Sequence, residues 1–459
     1  MKSRIHGSGL PLRGGGRPVR KRTPGSADTR RWVGGLVGLI ATLLLAPLAL
    51  IMSASPAGAV DVLCAPKPGE SACISGTLRT ETGVLPNVTI KVTPETGAPL
   101  TATTSETGKW SVEVTQEGSY TVTIDEATLP KDLVTTGEVV VKAQFGKTSP
   151  ALIEIRTQSY DASTSKVDEL IQSAASGLRL GLLLALASVG LSLIYGTTGL
   201  SNFAHAELVT LGGMVGYGLI NVQGINIWLG GLLVVVICGA GGWVQDRLMW
   251  QPLRRRGLGL TQLMIVTIGL SLALQYSFQY IVGAQTVRVL IDNPTVHKIG
   301  PITLTNQSYV AMAISVVVLA GVGYALLRTR VGRATRAVSD NPALAAASGI
   351  DVDKVIRLVW TVAAALAGLS GLLYALVTNG IKWDSGLQIL LLLFAAVTLG
   401  GLGTAFGALI GSLIIGLVVE LAPVLGMPGD FKYATALLIL ILLLLVRPQG
   451  LLGKPQRVG

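Results

Sequence analysis

Charge is scarce in this chain. Of 459 residues only 13% are Asp, Glu, Lys or Arg, about half the share carried by a water-soluble domain, and 5% are aromatic. Three cysteines and three histidines (His6, His205, His297) complete the list of scarce residues. So few cysteines exclude a disulfide-dense mini-protein, and a hydrophobic share of 50% excludes a disordered chain. The sequence has no GxxxxGK[ST] loop, no HExxH and no CxxC pair, so it offers neither a phosphate cradle for ATP nor a metal-peptidase centre. The expectation is a protein that is not an enzyme, with no catalytic residue, cofactor or metal. In a soluble protein the net charge of +11 would point to nucleic acid. Here the apolar residues fall in blocks longer than the roughly 18 a helix needs to cross a bilayer, so the cations are assigned to loops facing a membrane surface.

Residues 1–59 read as a basic tail followed by a signal peptide or signal anchor. Nine cations (Lys2, Arg4, Arg13, Arg17, Arg20, Lys21, Arg22, Arg30, Arg31) precede an apolar run from Val33 to Met52. The run ends on Ala57-Gly58-Ala59, a small-residue cleavage pattern, and the chain beyond Ala59 is expected to be exported. Residues 60–155 change character, with apolar side chains alternating with polar ones at Val88, Ile90, Val92, at Trp110, Val112, Val114 and at Tyr120, Val122, Ile124. Turn signals such as Glu106-Thr107-Gly108 separate these runs, so five to seven short strands of a small all-β sandwich are expected. Cys64 and Cys73 lie in this segment, and an oxidising compartment makes a disulfide between them the expected state. Cys238, in an apolar span, reads as a small buried residue.

After a linker over 156–176, a transmembrane domain is expected over 177–453, with a short tail at 454–459. Spans are predicted near 177–196, 202–220, 225–244, 259–281, 307–327, 355–378, 386–402, 404–425 and 431–447, eight or nine in all because the second and seventh are Gly-rich or polar enough to be broken. If the β-domain is outside, alternate loops at 246–257 and 328–354 and the C-terminus should be cytoplasmic. The cations cluster there: Arg247, Arg254, Arg255 and Arg256, then Arg328, Arg330, Arg333, Arg336 and Lys354, then Arg447, Lys454 and Arg457. The expected location is therefore the cell membrane, multi-pass, β-domain outside and C-terminus cytoplasmic.

Three features stand out in the spans. Asn202, His205 and Glu207 lie within six positions at the start of a span, where ionisable groups are costly and normally face a cavity or a partner. Two readings stay open: a polar lining of a substrate path, or a helix start with Ser201 or Asn202 as cap and Glu207 near the positive helix end. The segment 339–349 reads as a short capped helix with Ser339 or Asp340 at its N-cap, Pro342 early, an Ala-rich body including Ala347, and Gly349 as the stop. It is either a docking helix or a solvated connector. Finally, Val209-Thr210-Leu211-Gly212-Gly213 recurs as Val397-Thr398-Leu399-Gly400-Gly401. That is either an inverted repeat or a coincidence in a Gly-rich chain.

Three separated motifs, LIYGTTGLSNFAHAELVTLGG, GRATRAVSDNPALAAASGIDVDKVIRLVWTVAAALAGLSGLLYAL and LLLFAAVTLGGLGTAFGALIGSLIIGLVVEL, together resemble the permease subunits of branched-chain amino acid ABC importers over roughly residues 177–453. The resemblance implies import by ATP-driven alternating access. Its implied partners are two cytoplasmic ATPase subunits, a second related permease and an external binding protein. The 339–349 segment would then be the coupling helix that docks on an ATPase. Asn202 to His205 match the family's NFAH run, while Ala206-Glu207 replaces the commoner Gly-Asp. Relatives with these motifs serve branched-chain amino acids, urea or short amides. A gradient-driven carrier is the rival from another class, and expects charges deep in several spans. The segment 74–124 separately resembles carboxypeptidase-regulatory-like or transthyretin-like β-domains, an addition to the usual permease.

Overall fold

The computed structural model describes residues 64–453 apart from 65, 68, 81–82, 96, 131–132, 136–137, 147, 152, 154, 158–164, 291–293, 429–430 and 447–448. The basic tail, the apolar run, the cleavage position after Ala59 and the cations Arg447, Lys454 and Arg457 lie outside the described residues.

The alternating segments form strands. In chain order these are β1 (Ala72–Thr77), β2 (Arg79–Thr80), β3 (Gly83–Val84), β4 (Thr89–Pro94), β5 (Leu100–Thr103) and β6 (Lys109–Val114). β7 (Gly118–Ile124), β8 (Leu133–Thr135), β9 (Val139–Ala143), β10 (Thr148–Pro150) and β11 (Ile155–Thr157) complete the series. Seven of them make two sheets, ordered β10-β1-β6 and β5-β4-β7-β9, while β2-β3 and β8-β11 are two-stranded ribbons. Every second residue of β4, β6 and β7 turns inward, so Ile90, Val92, Trp110, Val112, Val114, Tyr120, Val122 and Ile124 join Ile74 and Leu78 in one core. The Trp110 ring lies against Gly76, where a Cβ would come within 2.8 Å of its Nε1. Cys64 and Cys73 are joined as a disulfide whose Cα atoms are 6.1 Å apart. Lys91 pairs with Asp125 at 2.9 Å and holds that carboxyl below the usual carboxylate range.

The apolar blocks form helices: α1 (Lys166–Thr198), α2 (His205–Gly216), α3 (Ile227–Arg255), α4 (Leu260–Val282), α5 (Asn306–Arg328), α6 (Arg330–Asp340) and α7 (Pro342–Ala347). Then come α8 (Val352–Val377), α9 (Ser385–Gly400), α10 (Ala405–Leu421) and α11 (Lys432–Val446). Between α4 and α5 the chain makes a hairpin of β12 (Val296–Ile299) and β13 (Ile302–Thr305), which the sequence reading did not anticipate. Among the described residues five helices, α1, α3, α4, α5 and α8, are long and apolar enough to cross a membrane, and α9, α10 and α11 are shorter apolar helices. Half of the expected 156–176 linker is helical, because Ser165 caps α1 by accepting the Asp168 N–H and the chain is helical from Lys166 onward.

α1 and α8 are central, with 78% and 72% of their most apolar windows buried, while α5 buries only 17%. Small residues make the central contacts. A Cβ on Gly371 would strike the Val209 carbonyl, and one on Gly212 would strike the Gly368 backbone, so α2 and α8 meet backbone to backbone. Gly242 of α3 touches Trp360 and Ala364 of α8, and Gly416 of α10 touches Gly177 and Gly181 of α1 in the same manner. The two VTLGG copies differ in role: Gly212 and Gly213 pack in mid-helix, whereas Gly401, at φ 108°, terminates α9.

Gly371→Ala is expected to cost about 2 kcal/mol or more, within the range for overpacking a tight interface. Gly269→Ala on α4, whose Cβ would meet nothing within 4 Å, is expected to be neutral or to gain up to about 1 kcal/mol. Thermal unfolding in detergent, followed by size-exclusion chromatography, separates the two.

Candidate functional site

α1 ends at Gly199, whose left-handed conformation (φ 69°) turns the chain back into the bundle. The next helix does not begin at the bundle's edge. His205, the first residue of α2, places its Nε2 3.0 Å from the Ala187 carbonyl oxygen, and Ala187 lies eleven residues before the end of α1. At 1.5 Å per residue the start of α2 is therefore about 16 Å in from the end of α1. All twelve residues of α2 are buried, and it passes directly into a π-helical turn, Tyr217–Val222.

The segment before α2 is held from three further sides. Asn202 Oδ1 accepts the Ala204 N–H at 3.1 Å, a local turn, while the N-cap position belongs to Ala204 without any side-chain cap bond. Neither Ser201 nor Asn202 therefore caps the helix. The Phe203 N–H donates to Thr267 Oγ1 of α4 at 3.2 Å, and its ring lies 4.8 Å from that of Phe394 on α9. Glu207 Oε1 accepts from Ser271 Oγ of α4 at 3.1 Å. Its second oxygen and Thr210 Oγ1 border the space left by Gly386, in the first turn of α9, where a Cβ would come within 2.9 Å of both.

Asn202, His205 and Glu207 are each fully shielded from solvent. Asn202 Nδ2, His205 Nδ1 and Glu207 Oε2 have no hydrogen-bond partner among the described residues, nor do Ser188 Oγ and Ser192 Oγ on α1. Unpaired polar atoms at this depth are expensive, so their concentration singles this segment out from the rest of the bundle. The cluster could hold the polar end of a small solute. Among the described residues no group of His, Cys, Asp and Glu could hold a metal.

The other expected residues lie elsewhere. Ser339 and Asp340 are the last residues of α6, so neither caps the short helix. Asn341 does, in extended conformation (φ −158°), with its Oδ1 accepting the Leu344 N–H at 3.0 Å. Pro342 opens α7, Ala347 closes it, and Gly349 lies just beyond at φ 84°. α7 stands in solvent with Leu344 65% exposed. Its base is anchored, since a Cβ on Gly196 in the last turn of α1 would meet Ser339 Oγ at 3.0 Å and the Gly403 carbonyl.

A second polar cluster escaped the sequence reading. Fully buried Asp246 of α3 accepts from Arg254 at 2.8 Å and lies 3.6 Å from Arg357 of α8, while Arg357 also donates to Gln251 at 2.7 Å. Trp250 and Trp360 stack beneath at 5.2 Å. The end of α3 and the start of α8 therefore share one face. Asp246 was visible at the end of a span, but its partner Arg357 lies more than a hundred residues away and no spacing rule connects them.

A bundle whose central helices pack through glycine, with a helix starting at half depth on an unpaired polar cluster and a short exposed helix between spans, has the build of a membrane transport subunit. The chain belongs to the family described as "Branched-chain amino acid transport system / permease component", which matches residues 173–446. It is similar to the high-affinity branched-chain amino acid transport system permease protein LivH of Escherichia coli K12, with 30% identity over 305 residues, covering 62% of this chain and 96% of that one. BraD of Pseudomonas aeruginosa, of the same description, is 30% identical over 304 residues, covering 62% and 96%. A probable LivH of Methanocaldococcus jannaschii is 33% identical over 285 residues, covering 59% and 89%. No solved structure matches. The strands β1 to β11 lie outside the residues matched by the family.

Asp246→Ala is expected to cost about 3 to 5 kcal/mol, because it leaves two half-buried guanidinium groups without their carboxylate. Arg255→Ala removes an exposed ion pair to Asp353 and should cost less than about 1 kcal/mol. Melting curves of the detergent-purified chain check both.

Proposed function

We propose that this chain is the membrane-spanning subunit of an ABC importer that moves branched-chain amino acids inward by alternating access, with ATP hydrolysed by partner subunits. The observation that carries this reading is the unpaired cluster of Asn202, His205 and Glu207 at the start of a fully buried half-helix, within a chain of the branched-chain amino acid permease family. The cluster is the polar part of the substrate path, and Phe203 and Phe394 supply an apolar wall beside it.

The sidedness rests on charge. The cationic end of α3 and the start of α8 meet on one face through the Arg255–Asp353 pair at 2.9 Å. The first turns of α1 lie with the other loops: Gln172 bonds the Thr303 backbone of β13 through both ends of its amide, at 2.6 and 3.0 Å. Taking the cationic face as cytoplasmic puts the start of α1, and with it the β-domain, outside. α7 then projects into the cytoplasm, where Leu344 offers an apolar knob to an ATPase groove. Motion of α7 reaches the core through Ser339 against Gly196 and Gly403, and so moves α1 relative to the α9–α10 turn. Two ATPase subunits, a second permease subunit and an external binding protein complete the machine. The β-domain serves as a platform on the outer side.

Uptake of radiolabelled leucine and urea, measured in a deletion strain with and without this chain and with an ATPase-dead partner, tests the reading. Leucine uptake requiring both supports it. Uptake indifferent to the ATPase promotes a gradient-driven carrier, and urea uptake alone reassigns the substrate. Leu344→Asp and Gly349→Pro should each lower leucine uptake about tenfold or more at unchanged membrane level. His205→Ala should alter the concentration dependence of uptake and not only the amount of folded protein.

A further inference from the structure

On α3 the exposed apolar residues form one stripe. Trp228, Leu232, Val236 and Trp243 are 67%, 61%, 58% and 43% exposed, at spacings that keep them on a single side of the helix. The two tryptophans are fifteen residues apart, about 22 Å along the axis, which places them near the two borders of a hydrocarbon layer. One turn beyond Trp243 the stripe ends on Arg247, and there the surface opens into a cleft of about 600 Å³ between the end of α3 and the start of α8.

That cleft is cationic. Arg247, Arg255, Lys354 and Arg357 line it together with Gln251. The carboxylates facing it are already engaged, Asp353 by Arg255 at 2.9 Å and Asp351 by Lys354 at 3.1 Å, and buried Asp246 behind it by Arg254 at 2.8 Å. Arg247 has no carboxylate partner among the described residues. Its guanidinium lies 5.4 Å from the Trp243 ring centre, and that of Arg357 lies 5.8 Å from the same ring. Two guanidinium groups thus converge on an indole at the membrane border, next to an apolar stripe long enough to accompany an acyl chain.

The geometry points to a binding site for the phosphate-bearing headgroup of an anionic phospholipid, held by Arg247, Lys354 and Arg357 in the cleft while its chains lie along Leu232 and Val236. A soluble phosphate would use the cations but not the stripe. A protein partner meets the exposed α7 more readily than a cleft joined through Arg247 and Trp243 to an apolar stripe. The cleft's occupant therefore comes from the bilayer, from the leaflet on the cationic face.

Native mass spectrometry of the full-length chain, incubated with equal amounts of phosphatidylglycerol and phosphatidylcholine, provides the test. Preferential retention of phosphatidylglycerol is expected. Arg247→Ala and Lys354→Ala should each weaken that retention about fivefold, and the pair on the order of thirtyfold, with phosphatidylcholine unaffected. Both side chains are exposed, so the variants should fold, and Arg247→Lys should retain most of the binding. Undiminished retention in the double variant overturns the proposal. So does displacement of phosphatidylglycerol by millimolar inorganic phosphate, which would make the cleft a soluble-anion site. Loss of ATPase capture with lipid retention unchanged would reassign it as a protein contact and likewise overturn it.

Discussion

The approach of helix backbones through glycine is the constraint on which the rest of the membrane part depends. Lipid tails are as apolar as leucine, so helices in a bilayer gain little from burying more hydrocarbon, and close packing must supply the attraction. Gly212, Gly368 and Gly371 let α2 press against α8, Gly190 admits Ala363 of α8 to α1, and Gly416 lets α10 lie on α1. Each contact sets the backbone of one helix against that of its neighbour with no side chain between them. Such close packing lets α2 begin inside the bundle, with its polar residues against carbonyls and hydroxyls of its neighbours.

The same packing gives the bundle two kinds of surface. α3, α4 and α5 leave most of their apolar stretches outward, while α1 and α8 bury about three quarters of theirs and α2 is wholly buried. The polar cluster lies on α2, glycine contacts join α8 to both α2 and α3, and the cationic cleft lies between the end of α3 and the start of α8. α8 thus packs on α2 and also borders the cleft.

Much of this was legible in the sequence. The alternation at Val88, Trp110 and Tyr120 marked strands because period two is a local property, and the apolar blocks marked helices for the same reason. The polar run Asn202 to Glu207 was visible because charge in an apolar block is conspicuous. Its partners were not, since Ala187, Thr267, Ser271 and Gly386 are ordinary residues of apolar stretches whose relevance comes only from tertiary contact. The N-cap of α7 was misplaced by a residue or two because Ser339, Asp340 and Asn341 are all good caps, and the helical hydrogen bonds of α6 decide which of them is free to leave the helix. The β12–β13 hairpin was missed because its strands are four residues each and it is held by a glutamine far away in sequence.

α2 also sets an order of assembly. It carries an imidazole and a carboxylate whose surroundings are built by α1, α4 and α9. Its backbone partner α8 begins more than a hundred residues later in the chain, so α2 leaves the ribosome well before the surface that buries it exists. Closure over α2 therefore waits for α8, and a chain stalled before that point would leave a buried imidazole and carboxylate uncovered.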